Sequence, residues 1–533
     1  MRRLRPWLLA AGAITLSACL FAVLDHRGDL FSSVAGYLAV SAIGGIMLWG
    51  AWRLEAGRDT PRWLAIALAV SLALRLGMGF FLDATLPTSG NDSPHHRAGY
   101  FYPDAFVRDS QAWELASSGR PLVDLSEQAQ RSDQYGGMLV LSALVYRLLS
   151  PGVHRPLLMV VLGATVSSLA VLFTWGLARR AFGPRAASVA AWTVALFPDA
   201  ILLAASEMRE PFVGTGLALA LSGYARVRDG SLRAGFGAAL AGAVLALVLS
   251  PPFGLLILLF IGLAWLWEGR ADAKRTAWAL GAIGALALLA LVLTVRAWVP
   301  MQEGVPRAPL QMIGWWLSEG ARFELYKLEQ GSGWVQTVFQ QTPLWAHFPL
   351  ATLNGLVQPF LPAALADRDA LPLLRLLVIW RALGWFGMLP FLLYAPIAAT
   401  RGSPRRSLQL YLAVMVWATA IFISYRYAGD QWDSPRYRTA FLAAQAAVVG
   451  WAWAFAEERR TPWLRRAAVL VGAETLIFLH WDLGRYYHLP RLSLWWTLAL
   501  GVAFAAIFLA GSMAIDATRA AADRSLTGPP REV

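Results

Sequence analysis

The stretch from Gly90 to Asp124 holds the densest set of ionisable and aromatic side chains in the chain. Asp92, His95, His96, Asp104, Asp109, Glu114 and Asp124 stand beside Tyr100, Phe101, Tyr102, Phe106 and Trp113. From Asp109 onward the spacing is helical, because Trp113 and Ala116 follow at four and seven residues. Asp109 is therefore expected to start an amphipathic helix whose apolar side rests on a membrane. A carboxylate roofed by aromatics at a lipid surface can act as a general base toward an acceptor hydroxyl or amine. It can equally be the N-cap of a surface helix. His95 and His96, with Asp92 or Asp109 as the carboxylate, offer ligands for a divalent cation.

Two further clusters have chemical potential. In Ser206-Glu207-Met208-Arg209-Glu210-Pro211 three ionisable groups sit between apolar runs, with Pro198 and Asp199 just before. Such groups are costly in lipid unless they are paired or face a polar cavity. Arg209 between Glu207 and Glu210 can hold a phosphate while one carboxylate binds a metal or orients the acceptor. The alternative is an interfacial salt bridge, with Pro211 opening the next helix. The third cluster is Tyr425-Arg426-Tyr427 followed by Asp433-Ser434-Pro435-Arg436-Tyr437-Arg438. Arg436 and Arg438 present planar donor forks suited to phosphate oxygens; ordinary anchoring at a lipid interface is the other reading. Arg75, inside an apolar run, reads as a residue that snorkels to the outer surface.

The elements that must position these residues follow from composition. Of 533 residues, 57% are hydrophobic and 15% charged, with mean hydropathy +0.50. These values exclude a soluble enzyme, a disordered chain and a collagen-like fibre. Apolar runs occur near 7–25, 34–52, 63–82, 157–178, 186–204, 211–225, 234–250, 253–267, 277–299, 376–399, 407–425, 438–456, 466–481 and 492–513. They predict an all-α polytopic membrane protein of about 14 transmembrane helices. Two shorter stretches, 137–150 and 347–363, read as helices or re-entrant segments at the interface. The first run contains Leu16-Ser17-Ala18-Cys19, like a lipoprotein signal. It continues past Cys19 through Leu24, so a plain first span is expected.

The net charge of +13 sorts by loop. With the N-terminus inside, each short inner loop carries about three positive charges, as the positive-inside rule requires. Examples are Arg53, Arg58 and Arg62; Arg179, Arg180 and Arg185; and Arg226, Arg228 and Arg233. All clusters share one side only if 137–150 and 347–363 do not cross. The charge is then topological, and nucleic acid is not an expected partner. The resulting plan has N-terminal helices (1–82), a first outer loop (83–156), central helices (157–299), a second outer segment (300–375), C-terminal helices (376–513) and a cytoplasmic tail (514–533).

In order, these features resemble the GT-C superfamily of membrane glycosyltransferases. The likeness is to the family of protein O-mannosyltransferases and the lipid A aminoarabinose transferase. The family's outer-loop Asp, opening a helix with aromatic and Ala positions before a Gly, is matched by Asp109 through Trp113 and Ala116 to Gly119. Its membrane-lying segment ending in Tyr-Arg-Leu is matched by Leu141 to Tyr146-Arg147-Leu148. Its cytoplasmic Ala-Arg-Arg-x-Phe-Gly turn is Ala178 to Gly183, the second outer carboxylate is matched to Glu210, and Pro435-Arg436-Tyr437-Arg438 recurs before a late span. The chain departs from the pattern where Asp109-Ser110 replaces an Asp-Glu pair and where two spans precede the one usually first.

The resemblance implies a GT-C-like fold and Asp109 as the catalytic base or acceptor-binding carboxylate. It makes Glu210 the second acidic residue and adds Tyr146 to Asp104, Glu207, Arg209, Arg436 and Arg438 as substrate-binding groups. The expected reaction moves a sugar from a polyprenyl-phosphate donor to a lipid, glycan or protein acceptor at the outer face. A bacterial-type inner membrane with both chain termini in the cytoplasm is the expected setting. Two other readings stand beside it. An O-antigen-type polymerase or ligase would use late-loop cations such as Arg307, Arg322 and Lys327. A lipid or solute transporter would carry ionisable groups near the bilayer midplane.

Overall fold

The computed structural model describes residues 5–25, 27–57, 60–122, 135–268, 338–402, 407–427 and 430–527, with isolated positions between 281 and 322. Asp124, Arg307, Lys327, most of the expected span at 277–299 and inner-loop charges such as Arg58, Lys274 and Arg406 lie outside the described residues. Among the described residues all regular structure is helical. The first helices are α1 (Arg5–Leu24), α2 (Leu30–Glu55), α3 (Arg62–Ser89), α4 (Pro94–Arg97), α5 (Pro103–Ser117) and α6 (Gly137–Leu149). The central set is α7 (Leu157–Phe182), α8 (Pro184–Leu196), α9 (Pro198–Ala204), α10 (Glu210–Arg228), α11 (Leu232–Leu249) and α12 (Pro251–Glu268). Then come α13 (Leu344–Val357), α14 (Leu361–Ala366), α15 (Pro372–Gly402), α16 (Leu408–Arg426), α17 (Asp433–Thr439), α18 (Leu442–Arg459), α19 (Trp463–Tyr487) and α20 (Leu494–Thr527).

Nine of these helices are long and apolar enough to cross a membrane. They are α2, α3, α7, α11, α12, α15, α16, α19 and α20. The expected runs at 186–204 and 438–456 are each a bent pair, α8 with α9 at 48° and α17 with α18 at 73°, which brings the number to eleven if each pair is one span. The runs at 7–25 and 211–225 are α1 and α10. The stretch 137–150 forms the 13-residue α6, and 347–363 is divided between α13 and α14. All three are too short to span by length.

Helix α7 is the axis of the bundle. It is buried along nearly its whole length, and α2, α3, α8, α10 and α18 pack on it. Small residues let helices come close: a Cβ at Gly450 of α18 would lie 2.2 Å from the Ala186 carbonyl oxygen of α8. At the other extreme α20 packs chiefly against α19 and is largely exposed.

Two expectations are corrected here. Helix α5 starts at Pro103, so Asp109 lies inside the helix and is neither its start nor its N-cap. Pro103, with φ fixed and no N–H to satisfy, is the better opening residue. Ala105, Ala112 and Leu115 of α5 are buried, and the helix packs on α6. Arg75 does not snorkel; it is fully buried. Its guanidinium donates to Ser167 Oγ at 2.9 Å, to the Val194 carbonyl at 3.0 Å and to the Ala195 carbonyl at 3.1 Å. Pro198 has no N–H to continue the helix, and Arg75 takes up the carbonyls freed where α8 ends.

Candidate functional site

The ionisable residues singled out in the sequence gather at the ends of helices, in two clusters on either side of the turn between α9 and α10. The first is built on Asp109, which is fully buried. Tyr146 of α6 donates its hydroxyl to Oδ1, and Tyr100 donates to Oδ2. His154, in the turn between α6 and α7, places Nε2 2.7 Å from Oδ2. Glu207 turns its buried carboxyl toward Asp109 and Ser142. Arg108, next to Asp109, donates to the Glu207 carbonyl oxygen at 2.7 Å and ties α5 to that turn.

Two carboxyl groups in one buried site cannot both ionise cheaply. Burial and the Asp109 charge push the Glu207 carboxyl well above the usual carboxylate range. Burial pushes Asp109 up as well, but the close approach of His154 and Glu207 and the hydrogen bond from Tyr100 outweigh it and hold Asp109 below that range. The two shifts run in opposite directions, so Asp109 is the carboxyl of the pair that ionises first. Burial and the Asp109 charge push both phenols up, which keeps them neutral donors.

The second cluster centres on Arg436 of α17. Its Nε lies 2.7 Å from Glu210 Oε1 and its Nη1 2.7 Å from Asp104 Oδ2. Asp433 Oδ1 stands 3.3 Å from the same nitrogen, and Nη2 donates to the Tyr437 hydroxyl at 3.1 Å. Glu210 and Arg436 are buried, whereas the Asp104 side chain is 50% exposed and marks the open side. Beside this cluster Arg381 pairs with Asp199, both buried, and lies over the Trp432 ring at 4.8 Å. Asp199 Oδ2, Arg381 Nη2, Tyr102 Oη, Ser434 Oγ and Glu210 Oε2 are buried without a hydrogen-bond partner among the described groups. Orphaned polar atoms of this kind call for ordered water or a polar ligand.

The expected site residues thus separate into groups. Asp109, Glu207 and Tyr146 come together, as do Asp104, Glu210 and Arg436. Arg209 lies over the Tyr135 ring at 5.2 Å. Arg438 is turned away: it donates to carbonyls at the end of α13, Gly355 at 3.3 Å and Leu356 at 3.4 Å, and covers the Trp385 ring. His95 and His96 pack on each other, 4.5 Å between centroids, and His96 Nδ1 accepts from the Asn91 N–H at 3.0 Å. Neither is bonded to Asp109 among the described residues, and these residues contain no group of three or more His, Cys, Asp or Glu placed to hold a metal.

Sequence reading missed His154 and the anchoring role of Arg155. The available signal was Pro151-Gly152-Val153-His154-Arg155-Pro156, a Pro- and Gly-bounded turn carrying an imidazole and a guanidinium. Arg155 is buried and donates to Ser150 Oγ at 2.7 Å, Ser32 Oγ at 2.8 Å and Ser33 Oγ at 3.1 Å, which fastens this turn to the start of α2.

No family model matches the chain, and no curated protein sequence does. Among solved structures the chain is similar to the archaeal oligosaccharyltransferase AglB from Archaeoglobus fulgidus in complex with an inhibitory peptide and a dolichol-phosphate. Identity is 17%, the match covers 84% of this chain and 55% of that one, and the TM-score is 0.40. The apo form of the A. fulgidus oligosaccharyltransferase matches at 16% identity over 85% of this chain and 55% of that one, with a TM-score of 0.41. The chain spans little more than half the length of these proteins.

Proposed function

We propose that this protein is an integral membrane glycosyltransferase that moves a sugar from a polyprenyl-phosphate donor to a hydroxyl or amine acceptor at the extracytoplasmic face. The observation that carries it is the adjacency of the two buried clusters, joined through the short turn from Glu207 to Glu210. One is an anionic pair with phenol and imidazole partners, suited to activating an acceptor. The other is a guanidinium held among carboxylates, with orphaned polar groups beside it, suited to a sugar and its phosphate. Preorganised charges at the place where a phosphate leaves stabilise the transition state without reorganisation.

A transporter is less well supported, because Asp109, Glu207, Glu210 and Arg436 lie at helix ends and in short helices instead of midway along the long spans. The test uses the full chain in lipid nanodiscs with a panel of undecaprenyl-phosphate sugars carrying radiolabelled hexose or pentose. Release of undecaprenyl phosphate with label moved to water or an added acceptor is expected for at least one sugar. Movement of intact donor across a vesicle membrane without cleavage would replace this reading with a transporter.

A further inference from the structure

Asp109 cannot itself reach an acceptor. A general base must come within hydrogen-bond distance of the proton it takes, and this carboxylate is fully buried, with its oxygens turned to Tyr146, Tyr100 and His154. His154 has the opposite geometry. Its Nε2 is buried 2.7 Å from Asp109 Oδ2 while its side chain is 31% exposed. The two ring nitrogens of an imidazole point in diverging directions, so Nδ1 faces away from Asp109.

The ring is held in one orientation. Trp113 stacks on its face with centroids 5.2 Å apart and planes 20° apart, and Tyr146 meets it at 5.3 Å and 88°. The backbone beneath is fixed by Arg155 on the start of α2. A mobile surface histidine would have neither clamp. A carboxylate bonded to one imidazole nitrogen fixes the tautomer and leaves the other nitrogen as the acceptor of a proton.

We infer that His154 is the catalytic residue that takes the acceptor's proton, and that Asp109 is the positioning residue behind it. This assignment rests on the glycosyl-transfer reading and deepens it. The acceptor O–H or N–H gives its proton to His154 Nδ1 as the acceptor lone pair forms a bond to the anomeric carbon. The bond from that carbon to the phosphate oxygen breaks, and its electron pair leaves on the polyprenyl phosphate. Asp109 stabilises the imidazolium through Nε2–H, and the proton passes to water after the product departs.

Two measurements on the full chain in nanodiscs test this. In the first, transfer from the undecaprenyl-phosphate sugar panel is compared for wild type, His154→Ala and His154→Gln. Loss of about 100-fold is expected in both, with partial recovery of His154→Ala, and not of His154→Gln, when imidazole is added. Transfer within twofold of wild type, or loss without imidazole rescue, overturns the assignment. The second needs no turnover: diethyl pyrocarbonate labels accessible imidazole nitrogens, read by mass spectrometry. His154 is expected to take one adduct, several-fold faster than buried His96, and to react several-fold more slowly in Asp109→Asn. An unreactive His154, or equal rates in the two proteins, overturns it. A wild type that transfers no sugar strikes the glycosyl-transfer reading, and the labelling result still decides the pairing of His154 with Asp109.

Discussion

At the scale of single residues, the proton shared by Asp109 and Glu207 has a measurable effect on stability. The Glu207 carboxyl titrates above its ordinary value because burial and the Asp109 charge oppose ionisation. Its stabilising contribution is therefore full below the ordinary carboxylate range, about pH 4.5, and drains away as pH rises through the higher folded value. Glutamine is a permanent copy of the protonated acid. Glu207→Gln should match wild type in thermal midpoint near pH 4.5 and exceed it by about 1–2 °C at pH 8–9. A variant less stable at every pH would mean that Glu207 is ionised in the folded protein. Arg436 poses the complementary case, a buried cation bonded to a buried carboxylate. Arg436→Met leaves Glu210 uncompensated and should cost about 3–5 kcal/mol in denaturant unfolding, and adding Glu210→Gln should recover most of it. Additive losses would show that the two side chains do not depend on each other. The carboxylates and arginines of both clusters were legible from their types and from the expense of charge near lipid. His154 was not, because its partner is 45 positions away in sequence and only the packing of α5 on the α6–α7 turn brings them together.

At the scale of helices, nine of the apolar runs are helices long enough to span, but run length did not show where runs bend. The run at 186–204 carries Pro198 in plain view, yet the break at Phe197 is stable because Arg75 on another helix takes the carbonyls of Val194 and Ala195. Nothing local to either segment announces that pairing. Helix contact is a similar case: Gly216 and Gly223 of α10 meet Gly235 and Gly242 of α11 at backbone distance, the small-residue packing that membrane helices favour. A Cβ at Gly223 would lie 2.4 Å from Ala239 N and 2.6 Å from the Gly235 carbonyl oxygen, whereas one at Gly237 meets nothing within 4 Å. Gly223→Ala should therefore destabilise by about 1–3 kcal/mol through displaced backbone. Gly237→Ala, in the same helix pair, should be neutral or stabilising by up to about 1 kcal/mol. Thermal unfolding in detergent separates the two; equal midpoints would mean that α10 and α11 are not in this close contact.

At the scale of the whole molecule, the charges divide by end. Glu55 at the end of α2 pairs with Arg180 of α7 at 2.7 Å and Arg226 of α10 at 3.0 Å, and Arg228 pairs with Glu268 of α12 at 2.9 Å. Several of the arginines at this end thus neutralise carboxylates where four helices end. Helix α10 connects that end to the site, running 19 residues from Glu210 to Arg228. At 1.5 Å per residue this is about 28 Å, close to the hydrocarbon thickness of a bilayer. The arginine-rich turns and the two clusters thus stand at opposite ends of α10. Under the positive-inside rule the arginine end is expected in the cytoplasm and the two clusters outside, the setting of the proposed lipid-linked donor. Cys19 is the only cysteine, so Cys19→Ser gives a background for labelling with a membrane-impermeant maleimide. In that background Asp92→Cys, beside α4 near the site, should label in intact cells. Asp229→Cys, in the turn after α10, should label only after permeabilisation. The reverse pattern would put the site in the cytoplasm and remove the reason for a polyprenyl-phosphate donor.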